Sequence, residues 1–250
     1  IQARQTELVN DRGGFFQFGT TQTPDSLVKQ TFFLEPLESA VLFAAPRPVA
    51  IQGDLPFVRV DGEGSVQSRR RDFERVMYTA ISDMSQPRMD ELRKDQNPYP
   101  IAYYRYLQLP DNLDRRIDSL AMAIVLEANA SNRYDVAKAV ESHLQREYAY
   151  SLEMKASGAD PLADFLFNVK AGHCEYYSTA MAVLLRTRGI AARVVNGFLP
   201  GEYNEAAGAY TVRKSDAHSW VEVYFPATRS WVTFDPTPSA GRAEPVRTGL

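Results

Sequence analysis

The chain has 250 residues, of which 44% are hydrophobic and 24% are charged, and its formal net charge is −3 at pH 7. This composition is ordinary for a globular protein with a substantial core, and the charge gives no reason to expect nucleic acid or an anionic membrane surface as a partner. The single cysteine excludes an internal disulfide and a zinc site built on paired cysteines.

No part of the sequence contains the ~18 apolar residues that cross a bilayer, and none shows the pattern of a signal peptide. The lack of disulfides fits the cytoplasm and the periplasm equally. Because the first residue is Ile1 rather than Met, we expect the chain to be part of a longer protein.

Short β-rich segments dominate the first third of the chain and are separated by breaks that contain Pro or Gly. They lie at residues 26–35, 39–44, 48–53, 57–68 and 73–82. Residues 61–64, with the sequence DGEG, predict a hairpin turn. Strands at this spacing indicate a small antiparallel sandwich or barrel, so we predict a β-rich N-terminal domain over residues 1–96. Residues 1–24 have no assignment within it.

A proline-interrupted segment follows, and we interpret residues 97–110 as a connector. Its tyrosines either line a groove or pack between the two halves of the chain. Helical periodicity then dominates, with predicted helices at 112–128, 133–148, 160–167 and 170–185. Four β-like segments come last, at 190–199, 209–214, 218–225 and 229–235. Helices followed by an antiparallel sheet indicate an α+β domain, which we place at residues 111–250.

Cys174 is predicted to lie in the first turn of the fourth helix. The apolar side chains of that helix recur at helical spacing, in a stripe formed by Tyr177, Ala180, Met181, Leu184 and Leu185. Gly189 fits the position just after the helix, and Gly172 falls where the helix should begin. At a helix N-terminus, unpaired N–H groups and the helix dipole stabilise a thiolate and can donate to an oxyanion. Gly172 would also let a substrate backbone approach closely.

A thiolate nucleophile needs a base and a group that orients the base. Of the three histidines, His143 lies on a predicted helix, and His173 is adjacent to Cys174 with a diverging side chain. His218 begins a predicted strand, and Asp235 ends the next one. The carboxylate could accept the Nδ1–H hydrogen bond of His218. From these residues alone, a buried and inert Cys174 remains the alternative.

Two segments extend this pattern into a family resemblance. The sequences GHCEYYSTAMAVLLRTRGIAARVVNGF (172–198) and DAHSWVEVYFPATRSWVTFDPTP (216–238) resemble the core of the transglutaminase-like superfamily, in particular its membrane-anchored bacterial TgpA type. The resemblance implies a papain-like α+β fold with helices on an antiparallel sheet. It implies that Cys174 is the nucleophile, His218 the base and Asp235 the orienting residue.

The resemblance also implies acyl transfer from a protein or peptide carboxamide through a thioester, which a primary amine resolves, with no metal or other cofactor. Animal transglutaminases place an oxyanion-stabilising Trp before the cysteine, whereas Trp220 and Trp231 both follow it here. The backbone N–H of Cys174 would then act with a side-chain donor, for which Asn168 and Tyr150 are candidates. We expect a periplasmic domain, anchored to the membrane only through segments outside this chain. The oligomeric state is not predicted.

Three other functions stay open on the sequence. A cysteine peptidase or amidase acting on a cell-envelope peptide or protein would use the same triad. Access of water then decides whether water or an amine resolves the thioester. A binding module could retain the triad as a vestige. A zinc site at Cys174, His173 and His218 lacks the spacing of known zinc motifs.

Overall fold

The structure is a computed structural model that describes residues 6–9, 11–21, 23–37, 39–68, 75–153, 158 and 160–239. The chain divides into two compact units, residues 1–86 and 87–250. The predicted three-part division into 1–96, 97–110 and 111–250 stays a prediction. None of the helices in the described ranges combines the length and the apolar character needed to cross a bilayer.

The described residues of the first unit form strands in two antiparallel sheets. The strands are β1 (Thr6–Val9), β2 (Phe15–Gln17), β3 (Leu27–Leu34), β4 (Pro48–Gly53), β5 (Val58–Asp61), β6 (Val66–Gln67) and β7 (Val76–Asp83). One sheet has the order β1-β5-β6 and the other β2-β4-β7-β3. Both contribute to one buried cluster that includes Val58, Phe16 and Ile51, so the unit is a small sandwich, as the strand spacing predicts.

Two details of this unit bear on the predictions. The hairpin turn lies where expected, with the Gly64 N–H donating to the Asp61 carbonyl and Gly64 at φ +85°. The predicted strand at 39–44 is wrong. Val41 makes only an isolated bridge to Gln67, and the Tyr78 hydroxyl accepts from the Phe43 N–H. A side chain therefore satisfies backbone groups there that a strand would pair.

In the described part of the second unit, five helices combine with a three-stranded antiparallel sheet. The helices are α1 (Met89–Lys94), α2 (Arg115–Glu127), α3 (Arg133–Glu147), α4 (Pro161–Asp164), which continues as a π-helical turn (Phe165–Val169), and α5 (Cys174–Thr187). The strands are β8 (Ala149–Tyr150), β9 (Ala171–Gly172), β10 (Ala192–Phe198), β11 (Glu202–Asn204), β12 (Ala209–Thr211), β13 (Ala217–Phe225) and β14 (Ser230–Phe234). The sheet order is β10-β13-β14, β11 pairs with β12, and β8 pairs in parallel with β9.

Local signals explain where the helices begin and end. Asp114 and Asn132 are N-caps whose side chains accept from first-turn N–H groups. Gly189 follows α5 at φ +69°, the left-handed conformation that closes a helix. The predicted apolar stripe of α5 is buried, but so are Ser178 and Val183. The helix is buried on more than one face because α2, α3 and the sheet all pack around it.

The segment predicted to be a connector is ordered within the second unit. Residues Ile101–Leu107 form a 3₁₀ helix, and the tyrosines around it pack on the sheet. Tyr103 stacks on Tyr224 with 3.8 Å between ring centroids, and Tyr106 meets Trp231 edge-on at 4.8 Å. Tyr224 alternates along β13 with the core residues Val223 and Phe225, so this cluster covers the face of the sheet opposite α5.

Candidate active site

Cys174 is the first residue of α5. The preceding residues are held by β9, in which Gly172 pairs with Tyr150 of β8. His173 is the N-cap, with extended backbone (φ −97°, ψ 178°) and no side-chain hydrogen bond to the helix. The first N–H groups of the helix therefore lack a side-chain cap, and the positive end of the helix dipole lies beside the half-buried thiol.

His218 and Asp235 are joined by a hydrogen bond. His218 lies on β13 and is 5% exposed, while Asp235 directly follows β14. The Nε2 atom of His218 is 2.9 Å from Oδ2 of Asp235. The expected use of Nδ1 is therefore wrong, and Nδ1 is the ring atom left for Cys174. The two residues meet because β13 and β14 pair, which places the imidazole and the carboxylate at the same end of the sheet.

Besides its bond to His218, Asp235 makes two contacts with α3 and one with the residue two positions further along its own segment. Its N–H donates to Oε1 of Glu141 at 2.8 Å, and its carbonyl accepts from Nε2 of Gln145 at 2.7 Å. Its Oδ1 accepts from the Thr237 N–H at 3.0 Å. Since Glu141 and Gln145 are four residues apart, they lie on one face of the helix. The carboxylate is thus fixed in position and aimed at the imidazole.

The thiol of Cys174 lies within hydrogen-bonding reach of His218 and of the backbone N–H and hydroxyl of Ser219. The bond to His218 lowers the pKa of Cys174, against the opposing effect of burial, and the two contacts from Ser219 lower it further. Burial disfavours the charged form of His218, but the hydrogen bonds to Asp235 and Cys174 outweigh it and raise the pKa of His218 to about 9. Both directions favour a thiolate–imidazolium pair near neutral pH.

Comparison with known proteins identifies the family. A family model described as the transglutaminase-like superfamily matches residues 120–236. The crystal structure of the periplasmic domain of TgpA from Pseudomonas aeruginosa matches with a TM-score of 0.71 and 30% identity, over 94% of this chain and 75% of that one. This chain belongs to the transglutaminase-like superfamily. The resemblance seen in the sequence and the predicted α+β fold are confirmed.

Two relatives agree with this membership. A protein-glutamine gamma-glutamyltransferase of P. aeruginosa is 36% identical over 204 residues, which are 82% of this chain and 29% of that protein. The uncharacterized protein YebA of Bacillus subtilis (strain 168) is 42% identical over 173 residues, 64% of this chain and 23% of that protein. The transglutaminase-like chain thus spans less than a third of either relative.

The other residues predicted for this transglutaminase-like site differ in their placement. Tyr150 lies close enough to Cys174 for the two to interact electrostatically, and burial raises the pKa of its phenol, with Cys174 adding to the effect. Asn168 is exposed and donates to Oδ1 of Asp164 at 2.8 Å within its own helical segment. At Gly172 a Cβ atom would lie 3.0 Å from the Tyr176 ring. A glycine at this position makes room for that ring, and the close approach of a substrate backbone to Gly172 stays a prediction.

The remaining histidines lie outside the hydrogen-bonded chain of the site. His173 meets the Tyr176 ring edge-on at 4.9 Å. His143 is half-buried on α3 beside Tyr148, and burial lowers its pKa. Among the residues that the structure describes, no three His, Cys, Asp or Glu side chains are grouped so as to hold a metal ion.

Sequence reasoning missed four residues of the site: Ser219, Asn196, Glu141 and Gln145. Ser219 could have been found, because strand alternation puts it on the same face of β13 as the core residues Val221 and Val223, the face that packs on α5. The other three act through partners more than 20 residues away in the chain, and nothing in their local pattern marks those contacts.

Proposed function

We propose that this chain is the catalytic part of a cysteine acyltransferase of the protein-glutamine gamma-glutamyltransferase type, with a protein or peptide as the acyl donor. The observation that carries the proposal is the continuous hydrogen-bonded series from Cys174 through His218 to Asp235 at a helix N-terminus. Similarity to a protein-glutamine gamma-glutamyltransferase supports the choice of reaction.

In the first half-reaction, the thiolate of Cys174 attacks the carboxamide carbon of a glutamine side chain. The negative charge that develops on the oxygen is stabilised by the backbone N–H of Cys174 at the start of α5. The phenol of Tyr150 is the candidate second donor, since its raised pKa keeps it protonated at neutral pH. The C–N bond then breaks, the imidazolium of His218 gives its proton to the departing ammonia, and a thioester remains on Cys174.

In the second half-reaction, a primary amine attacks the thioester carbon. Neutral His218 takes a proton from the attacking nitrogen, the C–S bond breaks, and an amide forms between donor and acceptor. The thiolate–imidazolium pair is thereby restored. Asp235 keeps the imidazole oriented in both steps, because it is fixed to α3 by Glu141 and Gln145. Water in place of the amine would give deamidation.

Incubation of the chain with a glutamine-containing peptide and a fluorescent primary amine tests the proposal. We expect amine incorporation that is lost in Cys174→Ala and His218→Ala, and that is absent when asparagine replaces glutamine in the peptide. The shorter asparagine side chain is the matched control for a carboxamide donor. Release of ammonia without incorporation would identify a hydrolase and contradict the transferase. No reaction at all would contradict both.

The proposal includes a location outside the cytoplasmic membrane, with anchoring through segments beyond this chain. It is supported by the similarity to a periplasmic domain from P. aeruginosa. We assign no nucleic acid partner, no metal and no cofactor to the reaction, since each of its steps is performed by side chains and backbone groups of the chain itself.

A further inference from the structure

Ser219 contacts the sulfur of Cys174 with two separate groups. Its backbone N–H and its hydroxyl both lower the pKa of the thiol, and the residue is 3% exposed. Its Oγ is also 2.7 Å from the carboxamide oxygen of Asn196 on the neighbouring strand. A buried hydroxyl therefore lies between the reacting sulfur and an exposed amide, and its proton is directed to the amide oxygen.

The strand register explains why the N–H of Ser219 is available. The bonds from Leu199 to Asp216 and from Tyr224 to Ala191 define the hydrogen-bonded positions between β10 and β13. Ser219 lies between such positions, opposite Asn196, so its N–H points away from β10. On the other side, pairing with β14 ends at Val221 and Phe234. The N–H of Ser219 therefore faces the side of β13 on which β14 pairs, beyond the end of that pairing.

The hydroxyl of Ser219 carries one proton, which can go to Asn196 or to Cys174 but not to both. When it goes to the carboxamide oxygen of Asn196, the sulfur receives no bond from the side chain. When the carboxamide turns over, its NH₂ group donates to Oγ and the hydroxyl proton is directed at the sulfur. A negatively charged sulfur favours the second arrangement because it is the stronger acceptor.

We propose that Ser219 stabilises the Cys174 thiolate by hydrogen bonding and that Asn196 is a positioning residue that turns the serine hydroxyl toward the sulfur. The inference deepens the proposed function, because it adds a group that touches the reacting sulfur to the series formed by Cys174, His218 and Asp235. It concerns the nucleophile alone, so it can be tested without any acyl donor.

The test is the rate of Cys174 alkylation by iodoacetamide as a function of pH. The variants are Ser219→Ala, Ser219→Thr, Asn196→Ala and the double variant Ser219→Ala/Asn196→Ala. Ser178→Ala is the matched control, because this serine is also buried but donates to the Glu175 carbonyl within α5. Thermal unfolding of each variant shows that it is folded.

The acidic limb of the alkylation profile reports the pKa of Cys174. We expect Ser219→Ala to raise this pKa by about one pH unit and to slow alkylation at pH 6 by about tenfold. Asn196→Ala should raise the same pKa by a smaller amount. It should have no further effect on that pKa in a chain that already carries Ser219→Ala. Ser219→Thr, which keeps a hydroxyl, should resemble the unmodified chain, as should Ser178→Ala.

A Ser219→Ala profile that superimposes on that of the unmodified chain would overturn the inference, as would an equal shift in Ser178→Ala. Additive effects in the double variant would remove the role of Asn196. The proposed function fails separately: if the shifts occur as expected but no amine enters the glutamine peptide, the thiolate is stabilised by Ser219 and the transferase assignment is wrong.

Discussion

Replacing Asp235 with asparagine removes one charge from the site and changes almost no volume. His218 is 5% exposed, and its pKa is raised from 6.5 to about 9, a difference that corresponds to about 3 kcal/mol. Among the interactions that raise it, the hydrogen bond to Asp235 is the largest, while burial acts in the opposite direction. Without the carboxylate, burial opposes only the contact with Cys174, so the pKa should fall by about 1–2 units.

Asparagine also creates a conflict over the proton of the imidazole. Oδ1 of Asp235 accepts from the Thr237 N–H while Oδ2 faces Nε2 of His218. The amide has one oxygen, and if it stays on Thr237 its NH₂ group faces Nε2. The imidazole would then carry its proton on Nδ1, the atom left for Cys174, and neutral His218 would be unable to act as a base. Amine incorporation should therefore fall by at least about a hundredfold.

The assay is the pH dependence of amine incorporation and of Cys174 alkylation. In the unmodified chain we expect the basic limb near pH 9, where His218 loses its proton. In Asp235→Asn it should move to about pH 7–8. Asp114→Asn is the matched control, because that carboxylate caps α2. A basic limb that stays near pH 9 in Asp235→Asn would refute the assignment of the orienting role.

Three further predictions concern stability. Gly197→Ala places a Cβ atom 2.5 Å from the Trp220 ring, which should cost about 1–3 kcal/mol in urea unfolding. Gly62→Ala, with nothing within 4 Å of its Cβ, is the control, and equal midpoints for the two would contradict the packing argument. Glu141→Ala removes the acceptor of a part-buried backbone N–H and should cost about 1–3 kcal/mol while slowing amine incorporation; unchanged values of both would show that this contact does not matter. Because the pKa of His218 is higher in the folded chain, its stabilising effect should be complete below pH 6.5 and lost as the pH rises through about 9. Urea unfolding at several pH values should show that loss in the unmodified chain but not in His218→Ala.

Several elements could be predicted from the sequence because their signals are local. The apolar periodicity of α2, α3 and α5 and the alternation along β13 arise from neighbouring residues. Capping residues such as Asn132 mark helix ends for the same reason. By contrast, β8 and β9 have two residues each and no periodicity, and they pair only because the chain returns from α4 to the end of α3. The prolines that flank Ile101–Leu107 conceal a 3₁₀ helix from a sequence prediction, whereas the helix begins directly after Pro100, where a proline is compatible with a helix start.

The site also combines features with local sequence signals and contacts between residues distant in the chain. The sequence by itself determined the candidate nucleophile, its place at a helix start, and the order of Cys174, His218 and Asp235, since each depends on its own short segment. Only the tertiary structure decided that Nε2 rather than Nδ1 faces Asp235, that Glu141 holds this aspartate, and that Asn196 reaches Ser219. These contacts join residues 17, 94 and 23 positions apart. They are decided by how strands pair and how α3 packs on the sheet, and a local sequence pattern carries no record of either.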